Sequence, residues 1–263
     1  MAGPLKLGTK IVDKPWGRRD IDPRFGTDRD RQVGEIWFEP PASRDLDLMC
    51  KYLFTAERLS IQVHPDDATA QARGYVRGKD ECWIILDAGD DAELGIGTLR
   101  EVSGDEVIAA AKDGSIVDLL DWRKPAVGDF IYNPAGTMHA LGPGLVVLEI
   151  QEAADLTYRL YDYGRPRPLH LDEACDVVEG RPHEHRLDTR VGKTSMLLVA
   201  GPHFGVAWCV GEPPVLPQGI RDVQLLPIDV AVGGVDPGEC ALIGEHEARR
   251  LRSDGIFVLA WSL

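Results

Sequence analysis

Residues 128–139 read G-D-F-I-Y-N-P-A-G-T-M-H, a run that leaves the backbone few options. Gly128-Asp129 makes a turn and the apolar residues after it read as a strand. Pro134 and Gly136 then force a second tight turn, which delivers His139 to the start of the next strand. A second run, L-S-I-Q-V-H-P-D-D at 59–67, adds a polar stripe. Ser60, Gln62 and His64 are two residues apart and share one face of a strand, while Leu59, Ile61 and Val63 share the other. Polar groups converging on an otherwise apolar strand are costly to bury without a bound partner. A metal ion, a sugar or both would supply one.

Composition sets the outer limits. The 263 residues are 44% apolar, enough for a real core, and 28 Gly with 18 Pro are scattered as many short strands require. A net charge of −14 excludes the basic footprint of a nucleic-acid binder and repels anions at long range. A substrate that carries phosphate therefore needs Arg and Lys concentrated in its pocket. No apolar stretch is long enough to span a bilayer, and M-A-G-P-L-K-L-G-T-K lacks the pattern of a signal peptide. A cytoplasmic protein with no nucleic-acid or membrane partner is expected. The cysteines at 50, 82, 175, 209 and 240 are odd in number and show no C-x-x-C spacing, so buried or unpaired thiols are expected.

Three helical interruptions are predicted. One covers 65–73, a second follows the capping box Ser103-x-x-Glu106 up to Gly114, and a third covers 172–179. Strands are predicted over 34–39, 51–63, 81–86, 129–132, 145–150 and 157–161. The polar segment R-P-H-E-H-R-L-D-T-R at 181–190 reads as a linker, with H-E-H on its surface. The predicted organisation is a main domain over 1–180, this linker, and a small β domain over 191–263 that packs on the first.

The form G-x5-P-x-G-x2-H at 128–139 resembles the second conserved motif of the cupins, double-sheet β-barrels that hold a metal between facing strands. The resemblance implies a mainly β chain, a cupin (jelly-roll) barrel with short helical insertions and a second, degenerate cupin-like domain. Gln62-x-His64 fits the position of the other ligand pair, with Gln where the cupin motif has His, and Glu81 opens the apolar strand C-W-I-I-L. Gln62, His64, Glu81 and His139 supply two imidazoles and two oxygen donors, a set suited to one Zn²⁺ per chain or a similar divalent ion.

Taken in order, L-S-I-Q-V-H-P-D-D, K-D-E-C-W-I-I-L, P-A-G-T-M-H-A-L and L-E-I-Q-E-A-A-D-L-T-Y-R-L-Y-D-Y-G-R are similar to the motifs of the type I phosphomannose isomerases, as are K-P-W-G at 14–17 and G-E-I-W at 34–37. The similarity spans about residues 10 to 180 and fits the short bacterial form. It implies an aldose-ketose isomerase that interconverts mannose 6-phosphate and fructose 6-phosphate by C1/C2 proton transfer through an enediol. It implies Gln62, His64, Glu81 and His139 as metal ligands, and Arg159, Lys79 and Glu149 as catalytic or substrate-positioning residues. Glu149, Lys79 and a zinc-bound water all remain open as proton shuttle. Arg159 has two readings, on the enediolate or on phosphate. Ser60, Lys79 and Arg165 are the candidates for the phosphate itself and, with Asp155, the candidate substrate contacts.

Two other readings stand beside this one: a sugar-phosphate-binding or regulatory cupin without turnover, and a metal-dependent cupin enzyme of different chemistry. Glu152, Ala153 and Ala154 depart from the family pattern, and residues 181–263 carry no second metal motif. The partner expected is a small sugar phosphate, bound by a monomer or a homodimer.

Overall fold

Side-chain alternation decides the architecture. The computed structural model describes residues 3–26, 28 and 30–263, and the chain is a mainly β, cupin-type fold of three antiparallel sheets. Seven strands form the central sheet, in the order Thr189–Arg190, Asp129–Asn133, Glu81–Ala88, Leu145–Glu152, Leu48–Phe54, Val33–Glu39 and Gly8–Arg18. A five-stranded sheet runs Tyr158–Tyr161, Ile61–Val63, His139–Leu141, Leu94–Thr98 and Leu120–Arg123. The third has six strands, Leu5–Lys6, Ala241–Ile243, Arg221–Pro227, Ile256–Ser262, Phe204–Val210 and Met196–Ala200.

The central sheet is covered on both faces, which is why its strands read as nearly continuous apolar runs. Leu53, Trp83, Ile85, Leu145 and Val147 point inward and pack with Leu94, Ile96 and Leu141 of the five-stranded sheet. The alternate residues Cys50, Tyr52, Cys82, Ile84, Leu148 and Ile150 pack on Val206, Trp208, Val258 and Ala260 of the third sheet. Each such side chain contributes about 1.5–3 kcal/mol by leaving water. All five cysteines are free thiols, four of them buried. Among the described residues no helix is long and apolar enough to cross a membrane.

The predicted strand over 51–63 is divided. Leu48–Phe54 belongs to the central sheet and Ile61–Val63 to the five-stranded one, and the chain crosses between them at 55–60. Leu59 therefore precedes the strand and packs with the inward core, while Ile61 and Val63 face outward under the helices. Those helices are Asp67–Ala72, Gly104–Asp113 and Leu171–Cys175, with a short one at Ile116–Leu119. Ser103 caps Gly104–Asp113 by accepting from the Glu106 N–H at 3.2 Å. The third predicted helix is shorter than its sequence pattern, and the strands Leu94–Thr98 and Leu120–Arg123 had no clear pattern.

Two pairings join distant segments. Leu5 and Lys6 pair with Leu242 and Ala241, so the N-terminus completes the sheet built by residues 196–262. Thr189 and Arg190 add an edge to the central sheet beside Phe130 and Asp129. His183, expected in a surface loop, is buried and bonded to Asp188 Oδ2 at 2.8 Å.

Candidate metal and active site

The inward faces of the central and five-stranded sheets bring His64, Glu81 and His139 together, buried, with one donor atom from each lying within 4.8 Å of the others. Gly136, at φ +85°, makes the turn that delivers His139, and its N–H donates to His64 O at 2.8 Å. Glu81 stands opposite Asn133 in the central sheet, and Asn133 Nδ2 donates to Glu81 Oε1 at 2.8 Å. His64 Nε2 is 3.4 Å from Glu81 Oε2 and His139 Nε2 is 3.3 Å from Glu81 Oε1.

Both rings are held by their other nitrogen. His64 Nδ1 lies 2.9 Å from Leu156 O, and His139 Nδ1 lies 3.0 Å from Thr137 O. A carbonyl oxygen only accepts, so each Nδ1 carries the proton and each Nε2 turns a lone pair toward Glu81. Gln62 pairs in register with His139, and its amide end is 3.2 Å from His139 Nε2. A half-turn of that amide puts its oxygen in the same place. Two imidazoles, a carboxylate and an amide oxygen form a donor set that fits a divalent transition ion.

Burial first, then the charge of Lys79, pushes His64 down to about 4. Burial also lowers His139. Burial alone would raise Glu81, but Lys79 and the two histidines hold it well below the usual carboxylate range.

Next to this group lies a row of alternating charges. Lys79 Nζ is 2.8 Å from Glu81 Oε2, 3.2 Å from His64 Nε2 and 3.9 Å from Glu149 Oε1. Lys51 Nζ is 2.8 Å from Glu149 Oε1 and 3.9 Å from Glu35 Oε2, and Lys14 Nζ is 3.1 Å from Glu35 Oε1. Strand register builds the row: Trp37 pairs with Lys51, Lys51 with Glu149, and Glu149 with Trp83. The indole N–H of Trp83 donates to Glu149 Oε2 at 3.0 Å, and that of Trp37 donates to Glu35. Burial works against the charge of Lys51, yet Glu149 and Glu35 raise it above the usual lysine value. Glu35 is lowered despite its burial, through Lys51 and Lys14.

Gly78 places Lys79. A Cβ there would come within 2.6 Å of backbone atoms of Pro65, Asp66 and Asp67, so only glycine permits the approach. The Lys79 N–H then donates to Pro65 O at 3.0 Å.

A cleft opens over these groups. Of the candidate substrate and catalytic residues, Ser60, Lys79, Glu149, Asp155 and Arg159 line it. Arg159 pairs in register with Gln62, and its Nη1 donates to Pro168 O at 2.9 Å. Arg165 does not line the cleft: it is held by Glu57 at 2.8 Å and Asp162 at 3.2 Å. Arg167 lines it instead.

No protein-family model matches the chain. A mannose-6-phosphate isomerase from Streptococcus mutans is 32% identical over 248 residues, 78% of each chain. The chain belongs to the mannose-6-phosphate isomerase family. The crystal structure of mannose 6-phosphate isomerase from Bacillus subtilis superposes with a TM-score of 0.79 at 25% identity, covering 98% of this chain and 99% of that one. A phosphomannose isomerase from Salmonella typhimurium superposes with a TM-score of 0.70 at 14% identity over 99% of this chain and 100% of that one, a likeness of fold alone.

In this member of the mannose-6-phosphate isomerase family, Lys14, Glu35, Lys51 and Arg167 escaped the sequence reading. For two of them a signal was available: Lys51 lies in L-M-C-K-Y-L-F and Glu35 in V-G-E-I-W-F, single charges inside apolar runs. Glu152, one of the departures from the family pattern, fastens the segment beside Glu81. Its Oε2 accepts from the Asp80 N–H at 2.9 Å and its own N–H donates to Asp80 O at 3.0 Å.

Proposed function

We propose that this cleft interconverts mannose 6-phosphate and fructose 6-phosphate by C1/C2 proton transfer through an enediol. The observation that carries the reading is the placement of Glu149. Its carboxylate is fixed between Lys51 and the Trp83 indole and faces the cleft that Gln62, Glu81 and His139 also line.

His64, Glu81 and His139, with Gln62, would hold Zn²⁺ or another divalent ion. When bound, such an ion polarises the oxygens of the substrate and so acidifies the carbon-bound proton between them. Glu149 takes that proton from one carbon and returns it to the other while the hydroxyl proton passes from one oxygen to the other, a task for a base held within reach of both carbons. Lys51 and Trp83 hold its carboxylate in one orientation. Lys79 pairs with Glu81 and keeps the acidic side of the cleft from repelling an anionic sugar. Arg159, across from Gln62, meets the negative oxygens of the substrate. Ser60 Oγ, 3.3 Å from the other end of the Gln62 amide, and Asp155 on the rim supply polar contacts for sugar hydroxyls.

The test is to incubate metal-loaded protein with mannose 6-phosphate, with and without a chelator, and to follow fructose 6-phosphate. Chelator-sensitive product is expected. Its absence from metal-replete protein would favour a binding cupin without turnover.

A further inference from the structure

The cations of the cleft fall into two sets. Lys14, Lys51 and Lys79 each lie against a glutamate, at 3.1, 2.8 and 2.8 Å, so this floor offers no free positive charge. Arg159 and Arg167 line the same cleft, and although Arg167 is ion-paired with Asp162, each keeps a guanidinium donor that no carboxylate among the described residues takes. Arg159 makes no ion pair among the described residues, and its Nε is buried without a hydrogen-bond partner. Arg167 is held by Asp162, with Nε to Oδ2 and Nη2 to Oδ1 both at 2.6 Å. Asp162 is only 2% exposed and must also serve Arg165 at 3.2 Å.

The two guanidinium groups of the cleft sense each other. Burial first, then the charge of Arg167, lowers Arg159 below the usual arginine value. Asp162 offsets part of that repulsion, and an anion bound between the two guanidinium groups would offset the rest. Asp155 shares the rim but pairs with neither. In a chain of net charge −14, such a pair is also the local attraction that an anionic substrate requires.

We propose that Arg159 and Arg167 form the clamp for the substrate's phosphate, with Asp162 as the residue that positions Arg167. Asp162 takes the Nε edge of the fork, which leaves Nη1 for a phosphate oxygen. The loop is closed back on its own strand: Arg165 N–H donates to Asp162 O at 3.0 Å, Arg167 N–H to Arg165 O at 2.8 Å and His170 N–H to Arg159 O at 2.8 Å. That closure turns Arg165 out toward Glu57 and Arg167 in. The identity of the anion as a sugar phosphate rests on the isomerase reading, and the clamp is testable without turnover.

The experiment uses metal-loaded wild-type protein and the variants Arg167→Ala, Arg167→Lys, Asp162→Asn and Arg165→Ala. Inorganic phosphate is titrated by calorimetry, and KM and kcat are measured with mannose 6-phosphate. In Arg167→Ala, phosphate affinity should fall and KM rise about 10–100-fold, the range for a charge-assisted contact, with kcat within about threefold. Arg167→Lys, which keeps the charge without the fork, should lie between. Asp162→Asn should show the same split between KM and kcat, whereas a purely structural role would lower both stability and kcat and leave phosphate binding alone. Arg165→Ala should change KM by less than about threefold, the scale of a weak exposed ion pair. Unchanged phosphate affinity in Arg167→Ala, or a fall in kcat with KM intact, overturns the clamp. Wild-type protein that binds phosphate through Arg167 but forms no fructose 6-phosphate would keep the clamp and remove the isomerase reading.

Discussion

Lys51 Nζ lies 2.8 Å from Glu149 Oε1 on the neighbouring strand of the central sheet, and both side chains are buried. Neither charge is tolerable there alone. Lys51→Met should leave Glu149 and Glu35 without their shared cation and cost about 3–5 kcal/mol in urea unfolding. Glu149→Gln should be milder in stability, keep its bound metal and lose nearly all turnover. In the Lys51→Met/Glu149→Gln double variant, part of the stability should return, because the repulsion created by the first change is relieved by the second. Strictly additive losses would mean that the two groups are not coupled.

How much of this was legible beforehand differs residue by residue. Gln62, His64, Glu81 and His139 sit in motifs with fixed local spacing, and turns such as Pro134–Gly136 announce where a strand begins. The fold class followed from the same local signals. Register did not. Lys51 and Glu149 are opposite one another because two strands from distant parts of the chain align, and alternation within either strand says nothing about that alignment. The choice between Arg165 and Arg167 was hidden for a related reason, since it depends on a loop closing around a buried Asp162. The pairing of Leu5–Lys6 with Ala241–Leu242 is likewise non-local.

The donor group and Arg159 should separate when each is removed. His139→Ala takes away one imidazole whose Nε2 faces Glu81, and metal content measured after gel filtration should fall close to zero. Arg159→Ala removes none of the donor atoms and should retain its metal while losing most activity. Metal loss in the Arg159 variant would mean that this arginine supports the site rather than the substrate.

Trp83 offers a narrower test of how Glu149 is held. Trp83→Phe keeps a ring in the core but removes the N–H that donates to Glu149 Oε2 at 3.0 Å. A hydrogen bond to a charged acceptor contributes about 1.5–3 kcal/mol, so kcat should fall roughly 10–100-fold if the orientation of Glu149 limits proton transfer. Metal content should be unchanged. A normal kcat would show that Lys51 alone sets the carboxylate.

Acid should weaken the metal-free protein through His64. Its folded pKa is about 4, against 6.5 for an ordinary imidazole, because burial and then Lys79 disfavour its charged form. A depressed folded value means the unfolded chain binds the proton more readily, so stability falls as pH falls. The contribution is whole above about pH 6.5 and is lost progressively as the pH drops toward 4. Glu81, also depressed in the folded state, adds to the loss only in the more acidic range where an ordinary carboxylate begins to protonate. Unfolding free energies of chelator-treated protein from urea titration should therefore be flat from pH 8 to about 7, decline below about 6.5 by a few kcal/mol in all, and steepen further below about 4.5. In His64→Gln the decline between about 6.5 and 4.5 should be reduced, the remainder belonging to His139, which burial also lowers, while the steeper acid limb remains. An identical profile in that variant would move the first limb from His64 to another titrating group.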